Sequence, residues 1–198
     1  SLNTHVSQGG FRRSQNIAYR PACDGCAACV SVRVPGNTFE LSRNLRRTVK
    51  ANEDLTSSVV RSHATSEHYG LFRSYIDSRH GDGGMADMSV LDFSAMVDDN
   101  FVDSRLVEYR VRSADGEAGE LVAAVLVAIL GDGISLIYSF YDPDQTRRGL
   151  GTFMILDNIA RVTRLGLPSL CLLYTSSSPR DRTRYRMQSF AFKKNNHQ

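Results

Sequence analysis

Three of the four cysteines in this 198-residue chain lie close together, at Cys23, Cys26 and Cys29. Thiols two residues apart let two thiolates face one ion, so without a secretion signal they favour a metal or cluster over disulfides. Zinc and iron–sulfur clusters normally take four ligands, and the fourth candidate is His5 or a residue upstream. The alternative is three reduced thiols beside a turn.

A second candidate site is the loop Arg147-Arg148-Gly149-Leu150-Gly151, which precedes an amphipathic helical pattern. Backbone N–H groups at the start of a helix can bind an anion. The glycines can equally serve close packing, so this loop alone does not decide between the two interpretations. No His-Glu-x-x-His or Gly-x-Ser-x-Gly pattern occurs, so zinc-hydrolase and serine-hydrolase activities have no support.

Charge is unevenly distributed along the chain. Residues 1–50 hold eight Lys or Arg and two Asp or Glu, a net charge of +6. Residues 51–170 hold ten Lys or Arg and eighteen Asp or Glu, a net charge of −8. Residues 171–198 hold six Lys or Arg and one Asp or Glu, a net charge of +5. Basic ends suit contact with a polyanion, and ordinary solvated surface is the alternative.

The composition is that of a globular protein of one domain, or of one domain with a small appendage. It has 41% hydrophobic and 23% charged residues, enough apolar material for a core. The longest apolar run, residues 121–130, is well short of the ~18 residues that span a bilayer, and no secretion signal is visible. The chain begins with Ser1 rather than Met, which indicates a fragment or a processed product.

The hydrophobic pattern predicts a β-rich N-terminal fifth followed by mixed helices and strands. Strands are predicted near residues 17–19, 30–34, 56–61, 105–111, 121–130, 134–141 and 170–174. Helices are predicted over 42–55, from Ser66 to near Gly81, over 89–97, and after Gly151 as far as Gly166. Expected inward residues are Tyr69, Phe72, Tyr75 and Ile76 of the second helix and Val90, Phe93, Met96 and Val97 of the third.

Three meandering strands, a glycine loop, a helix and a returning strand describe an acyltransferase core. We therefore predict an α+β fold, an acetyltransferase-like (GNAT-type) mixed sheet with flanking helices, preceded by a small cysteine-bearing β-rich module. The expected divisions are an incomplete module over 1–50, an incomplete transferase domain over 51–174 and a tail over 175–198. The tail is basic and aperiodic, so we expect it to be disordered and non-native, with the change beginning near Leu170 and making Cys171 suspect.

Short motifs over most of the chain recur, in the same order, in one known family. They are Gly-Phe-Arg-Arg-Ser at 10–14, Tyr-Arg-Pro-Ala-Cys leading into the cysteine cluster at 19–29, Val-Arg-Val at 32–34, Ser-Arg at 42–43 with Arg-Arg at 46–47, Asn-Glu-Asp-Leu at 52–55, Arg-His at 79–80 before Asp-Gly-Gly-Met at 82–85, Glu-Tyr-Arg at 108–110 and Tyr-Ser-Phe-Tyr-Asp-Pro at 138–143. The chain therefore resembles the aminoacyl-tRNA protein transferases of the N-degron pathway. It is most similar to the bacterial branch that adds leucine to N-terminal Asp or Glu.

The resemblance implies a cytoplasmic enzyme that joins the aminoacyl ester on a tRNA 3′ end to a protein's N-terminal α-amine and so marks it for degradation. An α-amine with a pKa of ~7.7–8.0 is already partly nucleophilic at neutral pH, so positioning and oxyanion stabilisation should matter more than a strong base. Backbone N–H groups at an irregular strand near 138–141 are expected donors. Candidate catalytic residues are Tyr138, Ser139, Tyr141 and Asp142.

Binding candidates follow from charge. Arginine matches a carboxylate with two parallel hydrogen bonds, which suits recognition of an acidic first residue. The candidates for that role are Arg12, Arg13, Arg20, Arg79 and His80. The candidates for tRNA are Arg43, Arg46, Arg47, Lys50, Arg147, Arg148, Gly149 and Gly151, and those for zinc or an iron–sulfur cluster are Cys23, Cys26 and Cys29.

Two other function classes stay open. An acetyl-coenzyme A-dependent N-acetyltransferase would use Arg148, Gly149 and Gly151 on the pyrophosphate. An inactive tRNA-binding fragment would bind tRNA in a salt-sensitive way without transfer. The sequence does not choose between leucine and arginine as the donor amino acid. We expect a monomer that needs no cofactor for transfer and has no membrane partner.

Overall fold

The computed structural model describes residues 12–14, 17–19, 32–81, 83, 85–99, 102–113 and 119–172. Strand β1 (Arg12–Ser14) pairs antiparallel with β2 (Ile17–Tyr19). The remaining strands are β3 (Val32–Pro35), β4 (Leu55–Arg61), β5 (Ser104–Val111), β6 (Leu121–Leu130), β7 (Gly133–Tyr141) and β8 (Ser169–Leu172). They form one sheet in the order β3-β8-β7-β6-β5-β4, in which only β7 and β8 are parallel.

Four helices flank this sheet in the described part of the chain: α1 (Arg43–Lys50), α2 (Ser66–Arg79), α3 (Val90–Asp98) and α4 (Leu150–Arg164). The predicted order of three meandering strands, a glycine loop, a helix and a returning strand is confirmed as β5-β6-β7-α4-β8. The predicted α+β mixed sheet with flanking helices is therefore correct. No helix among the described residues is long and apolar enough to cross a membrane.

The core lies on both faces of the sheet, which explains the continuous apolar run of β6. Every residue of β6 except Ile129 is buried. Val125 belongs to the cluster that packs against α4, whereas its neighbour Leu126 belongs to the cluster that packs against α2 and α3. A strand that is covered on both faces carries no polar alternation, because successive side chains point to opposite apolar layers.

Local sequence signals set where the helices begin. Ser42 caps α1, and Ser89 forms a capping box with Asp92 at the start of α3. These side chains satisfy N–H groups that have no partner within the helix. Gly149 precedes α4 in a left-handed conformation, with φ of 62°, which a residue with a side chain adopts only at a cost.

Some predicted boundaries were wrong. The helix predicted over 42–55 ends at Lys50, because a turn follows it and Leu55 already belongs to β4. Thr65 rather than Ser66 caps α2, since its side-chain oxygen accepts the His68 N–H. Val90 was expected to face inward but is 52% exposed, as the first residue of α3.

The junction between β7 and β8 depends on close backbone approach. A Cβ atom built on Gly133 would lie 2.0 Å from the carbonyl oxygen of Ser169. Gly133 is therefore the residue that lets β8 return beside β7. Cys171, suspected from the sequence, is buried in β8 between Arg33 of β3 and Ser135 of β7.

Residues 32–50 are joined to the main sheet, because β3 pairs with β8 and Leu45 of α1 packs against the α4 side of the core. Residues 1–11 and 20–31 of the expected cysteine-bearing module, and the expected tail over 175–198, lie outside the described residues. The division at residue 50 and the disorder of the tail stay predictions.

Candidate functional site

An aromatic and cationic cluster lies where β7 ends beside the C-terminal end of α2. The rings of Tyr141 and Tyr75 are 4.8 Å apart between centroids, and those of Tyr75 and His80 are 5.5 Å apart. The guanidinium carbon of Arg79 is 6.0 Å from the Tyr141 ring centroid, a cation–π distance. The fold thus brings together Arg79 and His80, predicted for substrate, with Tyr141, predicted for catalysis. We call Tyr75, Arg79, His80 and Tyr141 the aromatic–cation cluster.

Tyr138 lies on the same strand but packs against the core layer beneath α2 and α3, whereas Tyr141 packs against the layer beneath α4. Its ring is 6.1 Å from that of Phe72 and 6.4 Å from that of Phe140. Burial raises the pKa of Tyr138 well above its usual value, and the nearby Tyr75 hydroxyl adds to that effect. The Tyr138 phenol therefore stays protonated at neutral pH and can donate a hydrogen bond, but it cannot act as a base.

The strand that carries these tyrosines is irregular at Ile137, just before the segment 138–141 where an irregular strand was expected. The pairing of β6 with β7 runs from Leu126 opposite Tyr138 to Val127 opposite Leu136, so Ile137 is an extra residue. β8 pairs only with Gly133 to Leu136, so among the described residues no strand covers 137–141 on that side. Bulges of this kind redirect backbone groups and are frequent beside active sites.

The other two catalytic candidates have simpler surroundings. Asp142 accepts the N–H of Asp144 on Oδ1 at 2.9 Å, and its own N–H donates to the Val122 carbonyl. These contacts are those of a turn-forming aspartate. Ser139 is half-buried opposite Val125 in the sheet.

The start of α4 adjoins the aromatic–cation cluster. A Cβ atom on Gly151 would lie 3.4 Å from Cε1 of Tyr141, so the tyrosine ring rests against the first turn of α4. Gly149, the preceding cap, provides no side chain to the free N–H groups of that turn. These amides carry the positive end of the helix dipole, as the predicted anion-binding role requires.

The two arginines of this loop differ in their contacts. Arg147 is exposed and makes no hydrogen bond or ion pair with the described chain. Arg148 instead forms a two-point ion pair with Asp54, at 2.6 and 2.8 Å, and donates from Nε to Gln145. The hydrogen bond from Arg148 lowers the pKa of Asp54, so this pair is charged at neutral pH.

Helix α1 presents a basic surface next to this loop. Arg43, Arg46, Arg47 and Lys50 are all exposed, and none of their side chains makes a hydrogen bond or ion pair within the described residues. At the end of α1, Asn52 donates to the Arg148 carbonyl at 2.8 Å. The predicted tRNA residues of α1 and of the loop are therefore brought to one region.

Several predicted residues lie where their side chains are not described. Arg12 and Arg13 belong to β1, and only their backbone is described. Arg20, Cys23, Cys26 and Cys29 lie outside the described residues, so their contacts with acceptor or metal stay predictions. Within the described ranges no group of three His, Cys, Asp or Glu side chains could hold a metal ion.

Sequence reasoning missed two features. Tyr75 was expected on the buried side of α2 and does pack against the core there, but its half-buried ring also joins the aromatic–cation cluster, which the sequence did not indicate. His68, which had no motif, is buried with Nε2 2.9 Å from Glu108 Oε1. The Glu-Tyr-Arg motif at 108–110 was the available signal, because a carboxylate on a buried strand needs a partner.

Arg110 extends this network by donating to Glu108 and, through two nitrogens, to Glu67 of α2. The hydrogen bond from Arg110 lowers the pKa of Glu67. Helix α2 is thus held to β5 at the end opposite Arg79 and His80. The network positions the helix that supplies half of the aromatic–cation cluster.

Comparison with known proteins connects this chain to a family. A sequence profile described as the C terminus of arginine-tRNA-protein transferase matches residues 67–189, and a second, described as its N terminus, matches residues 1–47. The first match overlaps the segment expected to be a tail.

A protein of Afipia carboxidovorans named aspartate/glutamate leucyltransferase is 58% identical over 174 residues, covering 87% of this chain and 69% of that protein. A protein of the same name from Azorhizobium caulinodans is 56% identical, covering 88% and 72%. Among solved structures, L-PGS from Bacillus licheniformis is 15% identical with a TM-score of 0.49, covering 71% of this chain and 43% of that one. By its profile matches and these curated relatives, the chain belongs to the arginine-tRNA-protein transferase family.

Proposed function

We propose that this protein transfers leucine from charged tRNA to the N-terminal α-amine of proteins that begin with Asp or Glu. The observation that carries the proposal is that the first turn of α4 contacts Tyr141 of the aromatic–cation cluster, while the loop before α4 contacts the end of the basic helix α1. Arg79 and His80 of the cluster supply cations for an acidic acceptor, and helix α1 supplies cations for nucleic acid. The two curated relatives described above carry a name that fits both halves.

The reaction needs little from a side-chain base. The α-amine nitrogen attacks the ester carbonyl carbon, a C–N bond forms, and the ester C–O bond breaks. The tRNA leaves with a free 3′-terminal ribose hydroxyl that takes up the proton the amine loses. Because an amine with a pKa of ~7.7–8.0 is partly unprotonated at neutral pH, orientation of the two substrates is the main requirement.

Negative charge develops on the carbonyl oxygen of the ester when the amine attacks, and hydrogen-bond donors fixed near that oxygen lower the barrier. The protonated Tyr138 hydroxyl and the backbone N–H groups around Ile137 are the donors we assign. Tyr141 holds its place between α2 and the first turn of α4, with Ser139 beside it on the strand. The contacts of Asp142 support a role in shaping the turn after β7.

Acceptor recognition is assigned to Arg79, with His80 beside it. Arg79 is exposed, so it is free to form a paired hydrogen bond with an incoming carboxylate. Arg12, Arg13 and Arg20 remain further candidates. The tRNA phosphates are assigned to the exposed cations of α1 and to Arg147, with the amides at Gly149 and Gly151 next to them.

Transfer of labelled amino acid tests this function directly. The full chain is given leucyl- or arginyl-tRNA with peptides that begin with Asp, Glu or Lys. We expect leucine to be joined to the Asp and Glu peptides and not to the Lys peptide. Arginine transfer in place of leucine would refute the donor, and transfer to Lys would refute the acceptor. Acetylation of a peptide from acetyl-coenzyme A without tRNA would favour the acetyltransferase alternative.

We further propose that transfer requires no cofactor and that Cys23, Cys26 and Cys29 hold zinc or an iron–sulfur cluster. Metal analysis of untagged protein tests the cysteine assignment, and a stoichiometry near zero refutes it. A monomer in the cytoplasm, where charged tRNA is made and used, completes the proposal. Light scattering of the purified chain checks the monomer.

A further inference from the structure

The contacts between Asp54, Arg148 and Asn52 join α1 to the loop that begins α4. Asn52 is 1% exposed, and its Nδ2 donates to the carbonyl of Thr48 in α1 and to the carbonyl of Arg148 in the loop, both at 2.8 Å. Gly149 packs 3.6 Å from Thr48 Cγ2, measured from a Cβ built on the glycine. The end of the basic helix and the start of α4 are therefore held in one fixed arrangement.

Arg148 has little hydrogen-bonding capacity left for a ligand. Its guanidinium has five N–H donors. Nε donates to Gln145, Nη1 donates to Asp54 and to the Ala51 carbonyl, and Nη2 donates to Asp54. One N–H of Nη2 is all that remains, whereas the neighbouring Arg147 has every donor free among the described residues.

We propose that the Asp54–Arg148 ion pair is a positioning element that orients a polyanion-binding surface formed by α1 and Arg147, and that Arg148 does not itself contact phosphate. This inference rests on the proposed use of tRNA. It assigns different roles to two adjacent arginines that the sequence treats alike. It also gives an acidic residue, Asp54, a supporting role in binding a polyanion.

The direction in which Asp54→Asn changes the affinity for tRNA separates this positioning role from a simple effect of charge. Asp54→Asn removes a negative charge beside a nucleic-acid surface, so charge alone predicts tighter tRNA binding. Loss of the ion pair predicts weaker binding, by about threefold to tenfold at fixed salt, because the surface is no longer held in place. Arg148→Gln should weaken binding by a similar factor.

The salt dependence of tRNA binding provides the second readout. Each phosphate contact contributes about 0.7–0.9 to the slope of log K against log salt concentration. We expect Arg147→Gln and Arg46→Gln each to reduce that slope by about this amount. Arg148→Gln and Asp54→Asn should leave the slope unchanged, and Asp54→Glu, which keeps the pair, should stay close to wild type.

Three outcomes would overturn the proposal. Tighter binding by Asp54→Asn would show that charge alone sets the affinity, and a slope reduced as much by Arg148→Gln as by Arg147→Gln would show that Arg148 contacts phosphate. Either result would leave the proposed function intact. Wild-type binding without salt dependence would refute the surface itself and the proposed tRNA contacts with it. Melting curves of each variant establish that the fold is kept, and the salt slope of Arg148→Gln provides the test if Asp54→Asn does not fold.

Discussion

Removing the charge of Arg79 should reduce selectivity for acidic acceptors. An exposed ion pair contributes about 0.2–1 kcal/mol, and a hydrogen bond to a charged group in a less exposed site contributes about 1.5–3 kcal/mol. Arg79 is exposed but lies against Tyr141, and a bound peptide would cover it further. We therefore expect Arg79→Gln to cost about 1–2 kcal/mol with an Asp peptide, or about a fivefold to thirtyfold loss in kcat/KM.

A double-mutant cycle isolates that interaction. Wild-type and Arg79→Gln enzymes are each assayed with leucyl-tRNA and with peptides that begin with Asp or Asn. The Asn peptide keeps the shape of the first residue but has no carboxylate, so Arg79→Gln should barely change its low rate. The coupling energy should equal most of the loss seen with the Asp peptide.

Arg61→Gln is the matched control, because Arg61 is also an exposed arginine and lies on the edge strand β4. Arg61→Gln should change neither the rate of transfer to the Asp peptide nor the rate of transfer to the Asn peptide. Equal losses with the Asp and Asn peptides in Arg79→Gln would refute the assignment of Arg79 to the acceptor carboxylate. A loss that appears only in the KM for tRNA would move Arg79 to the donor side.

Three further substitutions test the chemistry and the framework around it. Tyr138→Phe removes the protonated donor and should lower kcat by about tenfold to a hundredfold with little change in KM, measured by single-turnover transfer. Glu108→Gln should lower the free energy of unfolding by about 3 kcal/mol, measured in urea, because it removes a buried carboxylate that accepts hydrogen bonds from Arg110 and contacts His68. Asp54 has a folded-state pKa below its ordinary 3.8, so the stability it adds is present at neutral pH and is lost as pH falls through that lowered value. The difference in melting temperature between wild type and Asp54→Asn should therefore shrink as the pH falls below 3.8, the ordinary pKa of this carboxyl group.

Each of these expectations has a contrary result. An unchanged kcat in Tyr138→Phe would exclude its hydroxyl as an oxyanion donor. A loss of under about 1 kcal/mol in Glu108→Gln would mean that the network around His68 is not stabilising. A melting difference that grows on acidification would contradict the lowered pKa of Asp54.

Much of the fold could be predicted because its signals are local. The ten apolar residues of β6, the serines that cap α1 and α3, and Gly166 after α4 each act within a few residues of themselves. Errors fell at element ends, where Thr65 and Ser66 are both residues that can cap a helix. The network of His68 with Glu108 could not be predicted, since it depends on which helix covers which strand.

The sequence by itself determined the family, through motifs in a fixed order, and the types of residue available for acceptor and tRNA. Only the tertiary structure decided that Arg79, at the end of α2, meets Tyr141, at the end of β7, beside the first turn of α4. It also decided that Arg148 is bound to Asp54, while the Arg147 side chain has no partner in the described part of the chain. These contacts join residues far apart in the chain, and they depend on strand order and on the close return of loops, which local patterns do not specify.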